Sequence, residues 1–395
     1  MQAHSRPYVP DKRMSEYQYY EFQTADRRLS EKEMQELRSY STRAVITPTS
    51  FSNEYSFGSF KGNPNAWMKE YFDGFVYLAN WGTHELQLAL PANLLSAETT
   101  LLYCAGEAAS VREKSGKLIL TFRSEEEPGG EWVQGEGILS SLLPLRAELA
   151  QGDLRLLYVG WLLIVQAGEL EEEDTEPPVP PNLGEFYSPL SRLVDFFRID
   201  RDLLAVAAKA SPRNQTRPGQ RDEMAAWVGQ FPAREKDELL VQLVAGEDGV
   251  LGAEIRSRFN RRRADSSPVP EVPRRREGEL LAAAKAFRER REREEARKAA
   301  EEKARQEHLA AIARQKDLDA LAGQEPELWT QVEELVATKL PKSYDLAVQH
   351  LVDLRDLAVS KDEEAAFSQR LAVLREAHSR KPTLIGRLQD KGLCS

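Results

Sequence analysis

The sequence predicts an α+β N-terminal domain followed by mostly α-helical middle and C-terminal regions joined by a long charged helix. Three observations carry this. Residues 14–170 mix aromatic, period-two stretches with capped helical ones. From residue 186 onward the apolar spacing is helical. Within residues 279–321 the helical pattern continues, yet its middle, FRERREREEARKAAEEKARQEH, has almost no large apolar residues after Phe287.

The elements follow in order. EYQYYEFQ (16–23) alternates polar and apolar and suits a strand. Ser30 with Glu33 has the spacing of a capping box and starts a helix with Leu37 on its core side. AVITPTSFSNEYSF returns to strand chemistry, with Pro48 marking an edge or bulge. NPNAWMKEYFDG reads as a short helix with Pro64 in its first turn and Gly74 at its end. FVYLANWGTHELQLALP is the clearest strand signal, split in two by a turn at NWGT. NLLSAETTLLYCAG is a short helix or turn, and KLILTFRSEE a closing strand. Residues 137–170 are apolar and helical, broken at Gln151-Gly152-Asp153, and are expected as a helical hairpin on one face of the sheet.

Residues 171–185 are acidic and then proline-rich, which predicts an extended linker or a strap across the domain. Residues 186–260 form a helical region broken by a loop at 211–220. Residues 261–278 are an Arg/Pro-rich linker, and 279–321 the long charged helix. Its i,i+4 pairs include Glu289–Arg293, Glu294–Lys298, Arg291–Glu295, Arg297–Glu301 and Lys303–Glu307, each contributing ~0.2–0.5 kcal/mol. A coiled coil needs larger apolar residues at its a and d positions than this stretch holds, so a single solvent-bridging helix of about 65 Å is expected, with a weak coiled coil as the alternative. Residues 326–392 are expected as a small helical bundle around Trp329, Val332, Tyr344, Leu351, Phe367, Leu384 and Leu388. Residues 1–13 read as a tail.

The 395 residues carry a formal net charge of -10, which disfavours a whole-molecule grip on nucleic acid. Two cysteines, Cys104 and Cys394, build neither a disulfide framework nor a cysteine zinc site, and they suit a reducing cytoplasm. No apolar run is long enough to span a bilayer, so no membrane partner is expected. No cofactor or metal is expected. The histidines are not grouped with cysteines, and none of the sequences GxSxG, HExxH or GxxxxGK[ST] occurs. His84 acting as a base near Cys104 is a conceivable enzyme reading, and a solvated surface or core role is the plainer one.

Two stretches carry a resemblance. SEYQYYEFQTADRRLSEKEMQELR, ITPTSF and YFDGFVYLANWGT, through to PPVPPNLGE, resemble an uncharacterised family of bacterial proteins. The tail LWTQVEELVATKLPKSYDLAVQHLVDLRDLA, with FSQRLAVLREAHSRKPTLIGRL, resembles the C-terminal helical region of bacterial SWIM-type zinc finger proteins. The zinc motif itself, CxC with CxH, is missing, so the resemblance implies a shared docking module and no metal.

Two sets of residues are candidates for contact. Residues 256–276 hold eight arginines against Asp265 and Glu271, a local charge of +6. Arg261, Arg262, Arg263, Arg274, Arg275 and Arg276 could meet nucleic acid or an acidic protein. As a solvated linker they could instead lie against the acidic 169–176 segment. The second set surrounds NEYSFGSFKGNPNAW: Arg43, Asn53, Tyr55, Phe60, Lys61, Asn80 and Trp81 as a ligand or partner pocket, against a packing role for the aromatics. The function expected from all this is a non-enzymatic interaction or adaptor protein with two binding modules, other proteins as partners, and a nucleic-acid accessory role as the alternative.

Overall fold

A computed structural model describes residues 16–58, 60–125, 134–185, 187–212, 220–244, 251–252, 254–256, 258–259, 262 and 274–394. The chain forms two compact units, parting between Arg290 and Arg291.

The first unit is built on a seven-stranded antiparallel sheet. Its strands are β1 (Gln18–Gln23), β2 (Val45–Thr47), β3 (Ser50–Tyr55), β4 (Gly74–Ala79), β5 (Thr83–Pro91), β6 (Ala109–Lys114) and β7 (Lys117–Glu125), in the order β2-β3-β1-β4-β5-β7-β6. Period-two alternation sends successive side chains to opposite faces. Tyr19, Val76, Leu78, Leu86, Leu88, Leu120 and Phe122 go to one core, Phe22, Phe51 and Phe75 to another. The second core is closed by α1 (Glu31–Tyr40) and α2 (Pro64–Glu70), through Leu37, Trp67 and Met68. The Ser30–Glu33 capping box forms as the spacing predicts, and Asn63 caps α2.

Two expectations are corrected, and one strand was not foreseen. Gly74, expected to end a helix, is the first residue of β4; a Cβ there would meet Leu143 Cδ1 at 2.9 Å, so glycine suits the close approach. Strand β6 has little apolar alternation to betray it. It is an edge strand whose Arg112, Glu113 and Lys114 are exposed, the usual charged guard of a sheet edge. The expected helical hairpin over 137–170 is three helices: α4 (Ile138–Leu142), α5 (Pro144–Ala150) and α6 (Arg155–Ala167). A short helix, α3 (Ala97–Leu101), precedes β6.

Every residue of α6 from Leu156 to Val165 is buried, as expected of a helix apolar on all sides. Its Gly160 lets the helix press onto the sheet, because a Cβ there would meet Phe122 Cε1 at 2.4 Å. Gly160→Ala is therefore expected to destabilise the first unit by ~1–3 kcal/mol through overpacking. A lowered urea midpoint at unchanged m-value would show this. Helices α7 (Ser188–Phe196) and α8 (Arg201–Ala208) complete the same core, while α9 (Gln220–Gly229) and α10 (Ala233–Val244) follow.

A buried polar hub ties α5 to the end of the sheet. Asp73, 3% exposed, accepts from the backbone N–H groups of Ala25 (2.9 Å) and Asp26 (3.1 Å) and from Lys117 Nζ (3.0 Å). Arg146 donates through Nε to Ala89 O (2.6 Å) and forks onto Asp26. Burial alone would raise the Asp73 pKa; the Ala25 N–H, Lys117, Arg146 and the Asp26 N–H together outweigh it and hold the carboxyl below its usual range. A depressed folded pKa stabilises above the unfolded carboxylate value, about 3.9, and that stability is lost as pH falls through the folded value. Asp73→Asn should flatten the acid limb of a stability–pH curve below about pH 4 and lower stability at neutral pH. An acid limb of unchanged slope in the variant would count against the hub.

The long helix, α11 (Glu277–Leu321), spans 45 residues and belongs to both units. In the second unit it is followed by α12 (Glu325–Ala337), α13 (Pro341–Ser360), α14 (Glu364–Ala377) and α15 (Pro382–Asp390), and its Leu321 packs against their core. The core there is Leu328, Trp329, Val332, Val336, Tyr344, Ala347, Leu351, Leu354, Phe367, Leu371, Leu384 and Leu388. Arg314 pins α11 to α13 by bonds to Asp353 (2.6 Å) and Asp356 (2.6 Å).

Candidate partner surface

The arginine stretch is partly an internal fastening. Just before α11 the backbone forms an antiparallel bridge between Thr175 and Arg276. Glu176 N donates to Arg275 O (2.9 Å), Glu277 N to Asp174 O (2.8 Å) and Gly278 N to Glu172 O (3.1 Å). Arg275 then forks onto the Glu176 carboxylate, Nε at 2.7 Å and Nη2 at 2.6 Å, and donates through Nη1 to Val206 O (3.2 Å). Glu176 is 2% exposed and also accepts from Tyr158 OH. Two N–H groups of the one guanidinium and a phenol thus satisfy the hydrogen-bonding capacity of a carboxylate buried from water. Burial and the neighbouring Glu176 carboxylate push the Tyr158 phenol far up, so it stays protonated as a donor.

The strap that carries Glu176 is fixed along its length. Tyr103 OH donates to Pro178 O (2.7 Å) and Ser211 Oγ to Pro180 O (2.7 Å). The acidic segment and the arginine segment thus meet through Glu176 and Arg275. Of the other candidates, Arg262 donates to Gln230 Oε1 (2.9 Å), Arg274 and Arg276 are exposed, and Arg261 and Arg263 lie outside the described residues.

The aromatic set is only partly brought together. Phe60 stacks on Tyr20 at 4.6 Å and packs edge-on to Tyr55 (6.3 Å) and Trp67 (5.0 Å). It therefore takes the packing role. Asn53, 7% exposed, donates to Ser41 Oγ (2.8 Å) and pins the chain after α1 to β3. Asn80 Oδ1 accepts from Tyr17 N (3.0 Å) and holds the β4–β5 turn to β1. Lys61, Arg43 and Trp81 are exposed. Phe57, two residues after Tyr55, projects outward at 77% exposure just before the left-handed Gly58.

One row of side chains is set by strand register and leaves no local signal in the sequence. Tyr20, Tyr77, Glu85 and Arg123 are cross-strand neighbours on the α1–α2 face. Tyr20 OH (2.9 Å) and Tyr77 OH (3.4 Å) both donate to Gln18 Oε1, and Arg123 reaches Glu85 at 3.4 Å. In the next row Gln87, 2% exposed, donates to Glu85 (2.6 Å) and Asn65 (3.3 Å). Each residue lies at an alternating position, a signal that becomes readable only once the pairing is known.

The conceivable nucleophile and base are both held in packing. Cys104 is 1% exposed, and burial pushes its thiol up to about 12, away from thiolate character. His84, 5% exposed, stacks on Phe196 at 4.8 Å with Nδ1 2.7 Å from Phe196 O. Among the described residues no three of His, Cys, Asp and Glu gather as metal ligands, and no helix is long and apolar enough to cross a membrane. No family model, curated protein or solved structure matches the chain.

Proposed function

We propose that the chain is a non-enzymatic adaptor, with two binding units joined by one stiff, solvated helix. The observation that supports this most is the exposure of α11: residues 292–313 are all exposed, while each flanking unit has its own apolar core. Ion pairs Arg291–Glu295 (3.1 Å), Arg297–Glu301 (3.7 Å) and Lys303–Glu307 (3.9 Å) support the helix where no core does. A helix kept in water between two cores has no packing duty of its own; joining is the duty left to it. The two thiols, both unbridged, suit work in a reducing cytoplasm. The resemblance of the tail to the helical region of SWIM-type proteins supports reading the second unit as a docking module.

Partners are other proteins in this reading. The nucleic-acid alternative keeps the exposed Arg274 and Arg276 but loses Arg275 to Glu176. Affinity purification of the tagged full chain from its native host, with and without nuclease, separates the two. Specific proteins that survive nuclease are expected. Material that disappears with nuclease would replace the adaptor by a nucleic-acid accessory protein. The weak coiled coil is tested by sedimentation: the expected mass is that of a monomer, independent of concentration.

A further inference from the structure

The start of α11 is fastened in an unusual way. In residues 277–290 the buried apolar side chains are Leu280 and Ala284, with Phe287 half-buried. A helix docked on a core by its apolar face commits three to four apolar positions in every two turns. Here most of those positions are absent, and charge does the holding. Arg275 forks onto buried Glu176 just ahead of the helix. Arg288 pairs with Asp200 and, at 3.3 Å, with Asp202. Lys209 Nζ lies 4.2 Å from the centre of the Phe287 ring, and the Arg290 guanidinium 5.3 Å from it. The contrast with α6, buried from Leu156 to Val165, is plain.

We propose that residues 274–290 form an ionic latch, a segment that releases from the first unit as one piece while the sheet and α6 stay folded. Segments with few buried apolar contacts open at lower free energy than the core around them. Ionic contacts give that opening a control, because Arg288 and Asp200 are exposed enough for salt to screen them. The device sits where the arginine-rich stretch enters the long helix, so release would free that helix from the body of the first unit. The latch stands on the geometry of the first unit and holds whether or not the chain is an adaptor.

Hydrogen exchange followed by mass spectrometry on the full chain tests it, at about 0.1 and about 1 M NaCl. Exchange across 277–290 is expected to rise about tenfold at the higher salt, with β4, β5 and α6 unchanged. Arg288→Ala should give the same local rise at the lower salt. The salt series on the unaltered chain decides the matter if that variant folds poorly. Three results would overturn the latch: exchange at 277–290 that ignores salt, exchange that rises only together with β5 and α6, or exchange already as fast as in 292–313 at low salt.

Discussion

Phe22→Ala is expected to destabilise the first unit by ~3–5 kcal/mol, the cost of removing a fully buried phenyl ring and leaving a cavity. Phe22 is 0% exposed and meets Phe75 (4.4 Å), Trp67 (5.1 Å), Phe72 (5.2 Å) and Phe51 (6.0 Å). These rings come from β1, β3, β4, α2 and the turn after it, so no one neighbour can shift to fill the space. Urea denaturation followed by near-UV signal is the measurement. Trp329 reports the second unit, and its transition should stay where it was, because the two cores are separate. A coincident shift of both transitions would mean that the units fold as one.

Ala299→Pro is expected to break α11 and spare both cores. Ala299 is exposed, so nothing packs on it to be lost, but proline costs ~3 kcal/mol relative to alanine in a helix interior. Far-UV circular dichroism should lose helical signal while both unfolding transitions hold their midpoints. In the adaptor reading this variant still binds each partner. Ala299→Gly, at about 1 kcal/mol, should give a weaker form of the same effect. Loss of either unfolding transition in the proline variant would show that the exposed stretch supports a core.

Where a local signal existed, the sequence was informative. The Ser30–Glu33 capping box, the β4–β5 turn at Asn80–Gly82 and the second unit's apolar residues were all legible, because each depends on near neighbours in the chain. The long helix was legible from its charge pairs and its shortage of apolar residues. Its start at Glu277, inside the stretch expected as linker, was not, because it depends on Glu172 and Asp174, about a hundred residues away. The same distance hid Glu176 as the partner of Arg275. Its charge looked solvated beside Glu171, Glu172 and Glu173, which are exposed. The Tyr20–Tyr77–Glu85–Arg123 row was hidden for a related reason: β1 sits between β3 and β4, an order that alternation alone does not specify. Phe60 and Asn53, singled out as possible contacts, spend themselves on the ring of Tyr20 and the hydroxyl of Ser41, partners that lie 40 and 12 residues away in the chain.

The adaptor claim is tested most directly by chemical cross-linking of the tagged full chain in its native host, with nuclease treatment before mass spectrometry. Nuclease-resistant cross-links are expected to one set of proteins from residues 16–290 and to a different set from residues 314–394. Cross-links confined to one unit, or lost with nuclease, would contradict it.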